Sequence, residues 1–500
     1  MSEPAAEVVA ADEVLDAAAE PASVAIYEIE LEFPPGLVPL WRALGQVSGA
    51  RRRPRAVRVI WHDTADGALA KDHLALADHG GTWRLTALRP GKLGWPPAGP
   101  APVIAEALDL HGLGMTFEVI PIASFVGEQR TVEILTGEET VTARWITGHL
   151  RGVVDEIPVA RVELRGGREA LQRLAPGLAD QGASVPLASL AAQAIAVVEH
   201  AAPAPRHRGA AQVPEGTNVA DGLAVAIGQL VDAALYWAAR IPEARDAEPV
   251  HQMRVAVRRL RSLLGAPRKA ATGPLWQGTK SMLGELAREL GDARELDVFL
   301  EGVGTELARA RPQDRRIGML LARARKHREA AYAKLRADLA SSKMRRVAVE
   351  LALFAALKPF QSEGDGEFWA TDCREFASAA LDRRLRKLQA AGDDLTDLNA
   401  VDLHEVRKNA KRLRYTSELF AIFWAGGKRI RKYFERIAEL QEALGAVNDA
   451  ASLEHLLSRV GAGGFAAGVA VGIASANARP ALKEAQSGWK KLGSAEKFWE

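Results

Sequence analysis

The chain has 500 residues, the length of two or three ordinary domains. Lysine and arginine total 65 and aspartate and glutamate total 63, so the protein is not basic overall, and any site for a polyanion must come from local clustering of charge. The single cysteine, Cys373, excludes an intrachain disulfide framework and a cysteine-based zinc site.

The first 22 residues lack the basic segment and the apolar core of a signal peptide. They are rich in alanine and glutamate, which predicts a disordered acidic tail over residues 1–22. We find no apolar stretch that approaches the about 18 residues needed to cross a bilayer. We therefore expect a cytoplasmic protein without a membrane partner.

Residues 23–200 form the first predicted domain. Apolar residues alternate with polar ones between glycine, proline or aspartate, which predicts strands at 24–33, 57–61, 82–86, 140–146 and 159–164. Short helices are predicted at 37–46 and 168–178. The proline-containing segment that follows predicts a linker over residues 201–217.

The pattern changes in residues 218–500, the second predicted domain. Alanine, leucine, arginine and glutamate dominate, and apolar residues recur at spacings of three and four, which predicts a bundle of long antiparallel helices. Short breaks are expected near 265–273, 311–314, 361–366, 392–397 and 461–464.

This helical half contains an internal repeat. The segments 251–261 and 404–414 both follow the pattern H-x-x-R-x-x-x-[RK]-R-L-R without a gap. A leucine- and glycine-containing motif follows each, at 286–297 and 440–449. The distance from histidine to glycine is 40 residues from His251 to Gly291 and 41 residues from His404 to Gly445. Two ordered motifs at matched separation indicate two copies of one helical unit, packed about a pseudo-two-fold axis.

On a helix, each copy places its positive side chains on one face. His251, Arg254, Arg258 and Arg261 fall within roughly 80° of one another; we call them the first ridge. The second ridge comprises His404, Arg407, Lys411 and Arg414. Successive charges lie about 5 to 6 Å apart and repel one another unless an anion meets them. The apolar residues that should face the core are Met253, Ala256, Val257, Leu260, Leu264, Val406, Ala410 and Leu413.

A single basic helix face is usually only solvated, and a lone histidine is usually structural. The repetition of the same histidine and the same spacing favours a binding site. Arg259 and Arg412 lie off the ridges and are equally suited to structural ion pairs, with Asp297 and Asp449 either as their partners or as residues that orient the ridges. Gly291 and Gly445 are expected to permit a close helix contact or a turn.

These motifs resemble the CHAD family, named for conserved histidines in an α-helical domain, over residues 218–500. The resemblance rests on the segments 251–262, 290–297, 403–415 and 440–449. It implies two pseudo-symmetric four-helix bundles that bind inorganic polyphosphate in a basic groove or pore, often at polyphosphate granules. Its implied ligands are the histidines and basic residues of both motifs: His251, Arg254, Arg258, Arg259, Arg261, His404, Arg407, Lys411, Arg412 and Arg414.

The first half more weakly resembles the CYTH group of triphosphate tunnel enzymes, which implies an antiparallel β-barrel. Those enzymes open with E-x-E-x-K, whereas this chain has Glu28, Glu30 and then Glu32 in place of the lysine. The segment 62–69 resembles their Y-x-D-T-x-D-x-x-L motif, and Arg89 is a possible remnant of a later basic position. Arg161 stands where a second late acid is expected, and Ser189-Leu-Ala-Ala-Gln193 replaces the last basic motif. The catalytic set is therefore depleted.

The sequence thus predicts an α+β multidomain protein: a degenerate CYTH-like antiparallel β-barrel, followed by an all-α CHAD domain that binds polyphosphate. We predict no catalytic residues, no metal and no cofactor. The alternative is a metal-dependent inorganic triphosphatase, in which Glu28 and Glu30 hold Mg²⁺ and the helical domain delivers the substrate. Nucleic acid ranks third, since the ridges contain no aromatic residue before Tyr415 on which bases would stack.

Overall fold

The computed structural model describes residues 25–48, 53–88, 97–201, 203, 213–244, 246–267, 270–363, 365–424 and 426–500, without the side chains of 400, 446, 448–452 and 479. The tail predicted at 1–22, Arg89 and much of the linker predicted at 201–217 lie outside these residues. The proposed division of the chain at residues 200 and 218 stays a prediction.

The first half of the described chain is one antiparallel sheet. Its strands are β1 (Ile26–Glu32), β2 (Gln46–Ser48), β3 (Arg55–Asp63), β4 (Leu74–Asp78), β5 (Trp83–Ala87), β6 (Val103–Ala107), β7 (Ile120–Thr136), β8 (Glu139–Arg151) and β9 (Glu156–Gly167). Their order is β1-β9-β8-β7-β3-β4-β5-β6, and β2 pairs with β7. Each of the five predicted strand segments overlaps one of these strands.

The sheet is curled but open, a half-barrel in which β1 and β6 stand at the two ends of the strand order within the described residues. It differs in this respect from the expected barrel. Helix α3 (Leu190–Glu199), which the sequence did not predict, packs with apolar side chains from β3, β4, β7, β8 and β9. This alanine-rich helix covers one face of the sheet, so the apolar residues on that face are buried although the sheet does not close into a barrel.

Two short helices precede and follow the sheet's long strands. The helices are α1 (Ala68–Lys71) and α2 (Arg168–Asp180), and α2 confirms the helix predicted at 168–178. The helix predicted at 37–46 is wrong: only a 3-10 turn forms at Trp41–Ala43 before β2 begins. Gly45 lies so close to β7 that a Cβ would sit 2.3 Å from the Leu135 carbonyl oxygen, which shows that sheet pairing overrides the local pattern there.

The second half is helical, as predicted. Its helices are α4 (Val219–Ala238), α5 (Glu248–Leu264), α6 (Pro274–Glu301), α7 (Val303–Ala310), α8 (Arg315–Ala340), α9 (Ser342–Leu357), α10 (Gly366–Ala370), α11 (Cys373–Gln389), α12 (Ala400–Phe420), α13 (Lys428–Arg459) and α14 (Gly464–Gly493). Each predicted break falls at a helix boundary. The arrangement as two pseudo-symmetric four-helix bundles stays a prediction.

Helix α4 corrects the expectation that no apolar stretch is long enough to cross a bilayer. Among the described helices it alone is long and apolar enough, by length and composition, to qualify as a candidate membrane span. It packs against α5, α9 and α11, and 56% of its most apolar window is buried inside the protein. A buried core helix meets the same criterion.

One continuous apolar core joins the sheet to the helices. It runs from Ile29 and Leu31 of β1 through α2 to α4, α5 and α9. At its margin, Arg346 Nη1 on α9 donates a 2.7 Å hydrogen bond to Asp180 at the end of α2. The sheet is therefore a packed base for the helices that carry the repeat.

Candidate functional site

The two repeated motifs lie on two helices that contact each other. The first motif is part of α5 and the second is part of α12, and these helices pack together. The leucine- and glycine-containing motifs follow on α6 and α13, so both copies form the same pair of successive helices. The repeat therefore describes a structural unit, and its two histidine-containing helices meet.

The predicted inner faces of both helices are buried. All eight predicted residues are at most 4% exposed: Met253, Ala256, Val257, Leu260, Leu264, Val406, Ala410 and Leu413. Their burial fixes the rotation of α5 and α12, because side chains three and four residues apart share a face. The opposite faces, which carry the ridges, are turned away from this core.

The first ridge is anchored to α6. Arg254 Nη1 donates a 3.1 Å hydrogen bond to the backbone carbonyl of Ala287. A Cβ at Gly291 would lie 3.1 Å from the same Nη1 atom, so glycine makes room for the guanidinium. This confirms the expected close contact in the first copy. At Gly445 a Cβ would meet no heavy atom within 4 Å, so the second copy does not reproduce it.

The first ridge contacts α12 just after the last residue of the second ridge. The guanidinium of Arg258 on α5 lies over the ring of Tyr415 on α12, 4.4 Å from the ring centroid. Tyr415 is only 4% exposed, so the ring is covered. Burial lowers the pKa of the Arg258 guanidinium from its ordinary value. The stacked guanidinium joins the two repeat helices.

A carboxylate that the sequence analysis missed, Glu418, links α5 to the end of the second ridge. It forms an ion pair with Arg259 of α5, and its Oε1 accepts a 2.7 Å hydrogen bond from Nε of Arg414. Arg414 Nη1 donates in addition to Gln441 on α13, at 3.2 Å. Glu418 lies four residues after Arg414, the spacing of an ion pair on one helix. That spacing was the available signal in the sequence.

The remaining sequence-predicted residues stay at or near the surface. His404 and Arg261 are exposed, and Arg407, Lys411 and Arg412 are half-buried. Arg412 Nη1 lies 3.4 Å from Oδ1 of Asn409 on the same helix.

His251 is half-buried near the start of α5. Burial, and then the nearby charge of Arg294, lower the pKa of His251 from its ordinary 6.5. The ring is therefore neutral at pH 7 unless an anion draws a proton to it.

Of the two roles expected for Asp297, pairing with Arg259 is not what the structure has, because Arg259 pairs with Glu418. Asp297 is 1% exposed and accepts hydrogen bonds from Arg328 Nε at 2.5 Å and from the Tyr332 hydroxyl at 2.8 Å, both on α8. It fastens α6 to α8. Because a buried carboxylate requires such partners, Asp297 is committed there. The side chain of Asp449 lies outside the described residues.

The carboxylates of the sheet are held by arginines. The side chain of Arg161 is 3% exposed, and its Nη1 donates a 2.7 Å hydrogen bond to Glu30. Its Nη2 donates to the Ala188 carbonyl at 2.8 Å and lies 3.7 Å from a carboxylate oxygen of Glu32. Glu28 faces Arg165 at 3.5 Å. A guanidinium thus occupies the position beside Glu30 that a divalent cation would need. These residues do not fit the metal that the tunnel-enzyme resemblance implies.

Two further remnants of that resemblance have structural roles. The Asp63 carboxylate accepts backbone hydrogen bonds from Thr64, Leu69 and Ala70, at 2.7 to 3.0 Å, and so caps α1. Ser189 caps α3 by accepting from the Ala192 amide at 3.1 Å. Both side chains accept hydrogen bonds from backbone amides that have no partner within the first turn of a helix.

Comparison with known proteins identifies the helical half. Residues 225–458 match the family model of the CHAD domain. Two uncharacterized proteins from strains of Mycobacterium tuberculosis, MT2285 and Rv2226, are each 32% identical in an alignment of 222 residues that covers 41% of this chain and 40% of theirs. The chain therefore spans about two fifths of the length of these curated relatives.

Two solved structures are also similar. The CHAD domain from the plant Ricinus communis has a TM-score of 0.48 at 24% identity, covering 58% of this chain and 97% of that one. PptA from Streptomyces chartreusis has a TM-score of 0.41 at 18% identity, covering 55% and 99%. By the family model, the chain contains a CHAD domain at residues 225–458.

Proposed function

We propose that the CHAD domain at residues 225–458 binds inorganic polyphosphate, with the first and second ridges acting as one site. The observation that carries the proposal is the direct contact between α5 and α12, at which Arg258 stacks on Tyr415 and Glu418 joins Arg259 to Arg414. This contact brings two rows of positive charge from distant parts of the sequence together.

The chemistry of the ridges favours a long, linear anion. Guanidinium groups form paired hydrogen bonds with phosphate oxygens, and lysine adds a point charge. Charges repeated every 5 to 6 Å, about one helical turn apart, suit a ligand that itself repeats a negative charge. A single phosphate engages one or two of these groups, whereas a chain engages several at once. Association with polyphosphate granules in the cytoplasm is part of the proposal.

The site is poorly suited to nucleic acid. Single strands without sequence preference bind by stacking their bases on exposed aromatic rings. The aromatic residue adjoining the ridges, Tyr415, is buried and covered by Arg258. A base therefore has no accessible ring at this point, while phosphate groups retain their positive partners.

Triphosphate hydrolysis by the sheet is the less favoured function. It would need carboxylates that hold a metal and basic groups that stabilise the phosphate as charge develops. Glu30 is instead neutralised by buried Arg161, and Glu28 faces Arg165. We propose that the sheet serves as a scaffold or interaction module.

Charge reversal tests the proposal. Arg254→Glu with Arg258→Glu, or Arg407→Glu with Lys411→Glu, should sharply weaken binding of long-chain polyphosphate by the full chain, while circular dichroism shows that the helices remain. The first pair should in addition lower the melting temperature, because Arg254 bonds the Ala287 carbonyl and Arg258 stacks on Tyr415. A matched control reverses Arg58 and Arg130, which are exposed on β3 and β7. The control changes net charge equally and should retain binding.

If the control loses as much binding as the ridge variants, the loss is due to overall charge and not to the ridges. Loss of helical signal in the ridge variants would mean that these side chains are structural, and the proposal would lose its main support.

A further inference from the structure

One carboxylate lies between Arg259, beside the first ridge, and Arg414 of the second ridge. Glu418 is 13% exposed in its side chain, and it bonds Arg259 from one repeat and Arg414 from the other, each 34% exposed. Its two oxygens are divided between the two guanidinium groups. Glu418 therefore occupies a position at which one anion contacts both repeats.

This carboxylate stabilises the cluster of cations. Arg258 lies on the neighbouring ring of Tyr415, so three guanidinium groups, Arg258, Arg259 and Arg414, share the surroundings of Glu418. Like charges this close repel, and a central carboxylate offsets part of that repulsion. Any phosphate that binds Arg259 or Arg414 must compete with a charge-assisted hydrogen bond that is already formed.

We propose that Glu418 is a specificity-determining residue that makes the site select for chain length. It competes with phosphate oxygens for Arg259 and Arg414. A short phosphate has few other contacts and loses this competition. A long chain is held by several ridge residues that Glu418 does not touch, so it binds without displacing the carboxylate from Arg259 and Arg414. The inference rests on the proposed polyphosphate function.

The test compares the wild-type full chain with Glu418→Gln, which keeps the size of the side chain and removes its charge. Titrations use tripolyphosphate and long-chain polyphosphate. The variant should bind tripolyphosphate about tenfold more tightly or better, because a charged hydrogen bond no longer competes. Affinity for the long chain should rise less, so the ratio of the affinity for long-chain polyphosphate to that for tripolyphosphate should fall. The melting temperature without phosphate should fall, and tripolyphosphate should raise it more than in the wild type.

Glu405→Gln is the matched control, since Glu405 is an exposed carboxylate on the same helix that pairs with Lys408. It makes the same change in net charge and should leave discrimination by length unchanged. If both variants gain equally, or if Glu418→Gln melts earlier without binding tripolyphosphate more tightly, Glu418 is structural and the inference fails.

Two outcomes separate this inference from the proposed function. If the wild type does not bind long-chain polyphosphate, the proposed function fails first and this inference fails with it. If Glu418→Gln does not fold, Glu418→Asp replaces it. The shorter carboxylate cannot span both arginines, so a smaller gain for tripolyphosphate is expected, and no gain would overturn the inference.

Discussion

Replacing Arg161 with methionine should destabilise the sheet strongly. The side chains of Arg161 and Glu30 are 3% and 11% exposed, and their 2.7 Å contact is a buried ion pair. Methionine retains much of the volume but leaves the Glu30 carboxylate buried beside no guanidinium, and it removes a donor from the Ala188 carbonyl. Removing one partner of a buried pair costs about 3–5 kcal/mol, because the remaining charge stays out of water.

Hydrogen exchange at the backbone amides of β1 and β9 reports this loss locally, which matters in a chain with more than one structural part. Arg165→Gln is the matched control: its 3.5 Å contact with Glu28 is mostly exposed, so the loss should stay below about 1 kcal/mol. Adding Glu30→Gln to Arg161→Met should restore part of the stability by removing the buried charge. A loss under about 1 kcal/mol for Arg161→Met would refute the assignment of Arg161 as the buried counter-ion.

Two other predictions follow from the described contacts. Polyphosphate favours the protonated ring of His251, whose own pKa lies below 6.5, so affinity should rise as pH falls from neutral through that range. His251→Gln should lose up to about one unit of the slope of log affinity against pH, and an unchanged slope would contradict the histidine's role. The full chain with Mg²⁺ or Mn²⁺ should release no phosphate from tripolyphosphate at an enzymatic rate. Metal-dependent release that Glu28→Gln abolishes would instead support the enzyme alternative.

The parts of the fold that were predictable are those with a local cause. The ridges and inner faces of α5 and α12 follow from a spacing of three and four residues, and the eight inner residues are buried as expected. The strands likewise follow from alternation. The segment 37–46 has a helical pattern, but its last residue begins β2, which pairs with β7. Its conformation is therefore determined by residues about 90 positions away in the sequence.

The ion pairs that the sequence did not predict join residues far apart in the chain. Glu418 joins Arg259 across 159 positions, and Arg161 joins Glu30 across 131. The sequence shows an arginine at position 161 where the tunnel enzymes have an acid, but its partner depends on the antiparallel register of β1 and β9. The partners of Asp297, Arg328 and Tyr332 on α8, likewise depend on helix packing that the sequence pattern does not specify.

The most direct measurement is the salt dependence of polyphosphate binding by the full chain. A linear polyanion that engages both ridges releases condensed counter-ions, by analogy with single-stranded nucleic acids, for which the slope is about −0.7 per phosphate neutralised. With several ion pairs formed at once, the slope of log affinity against log salt concentration should be steeper than roughly −3. A nearly flat dependence would contradict a polyanion site and point to a small neutral ligand or a protein partner.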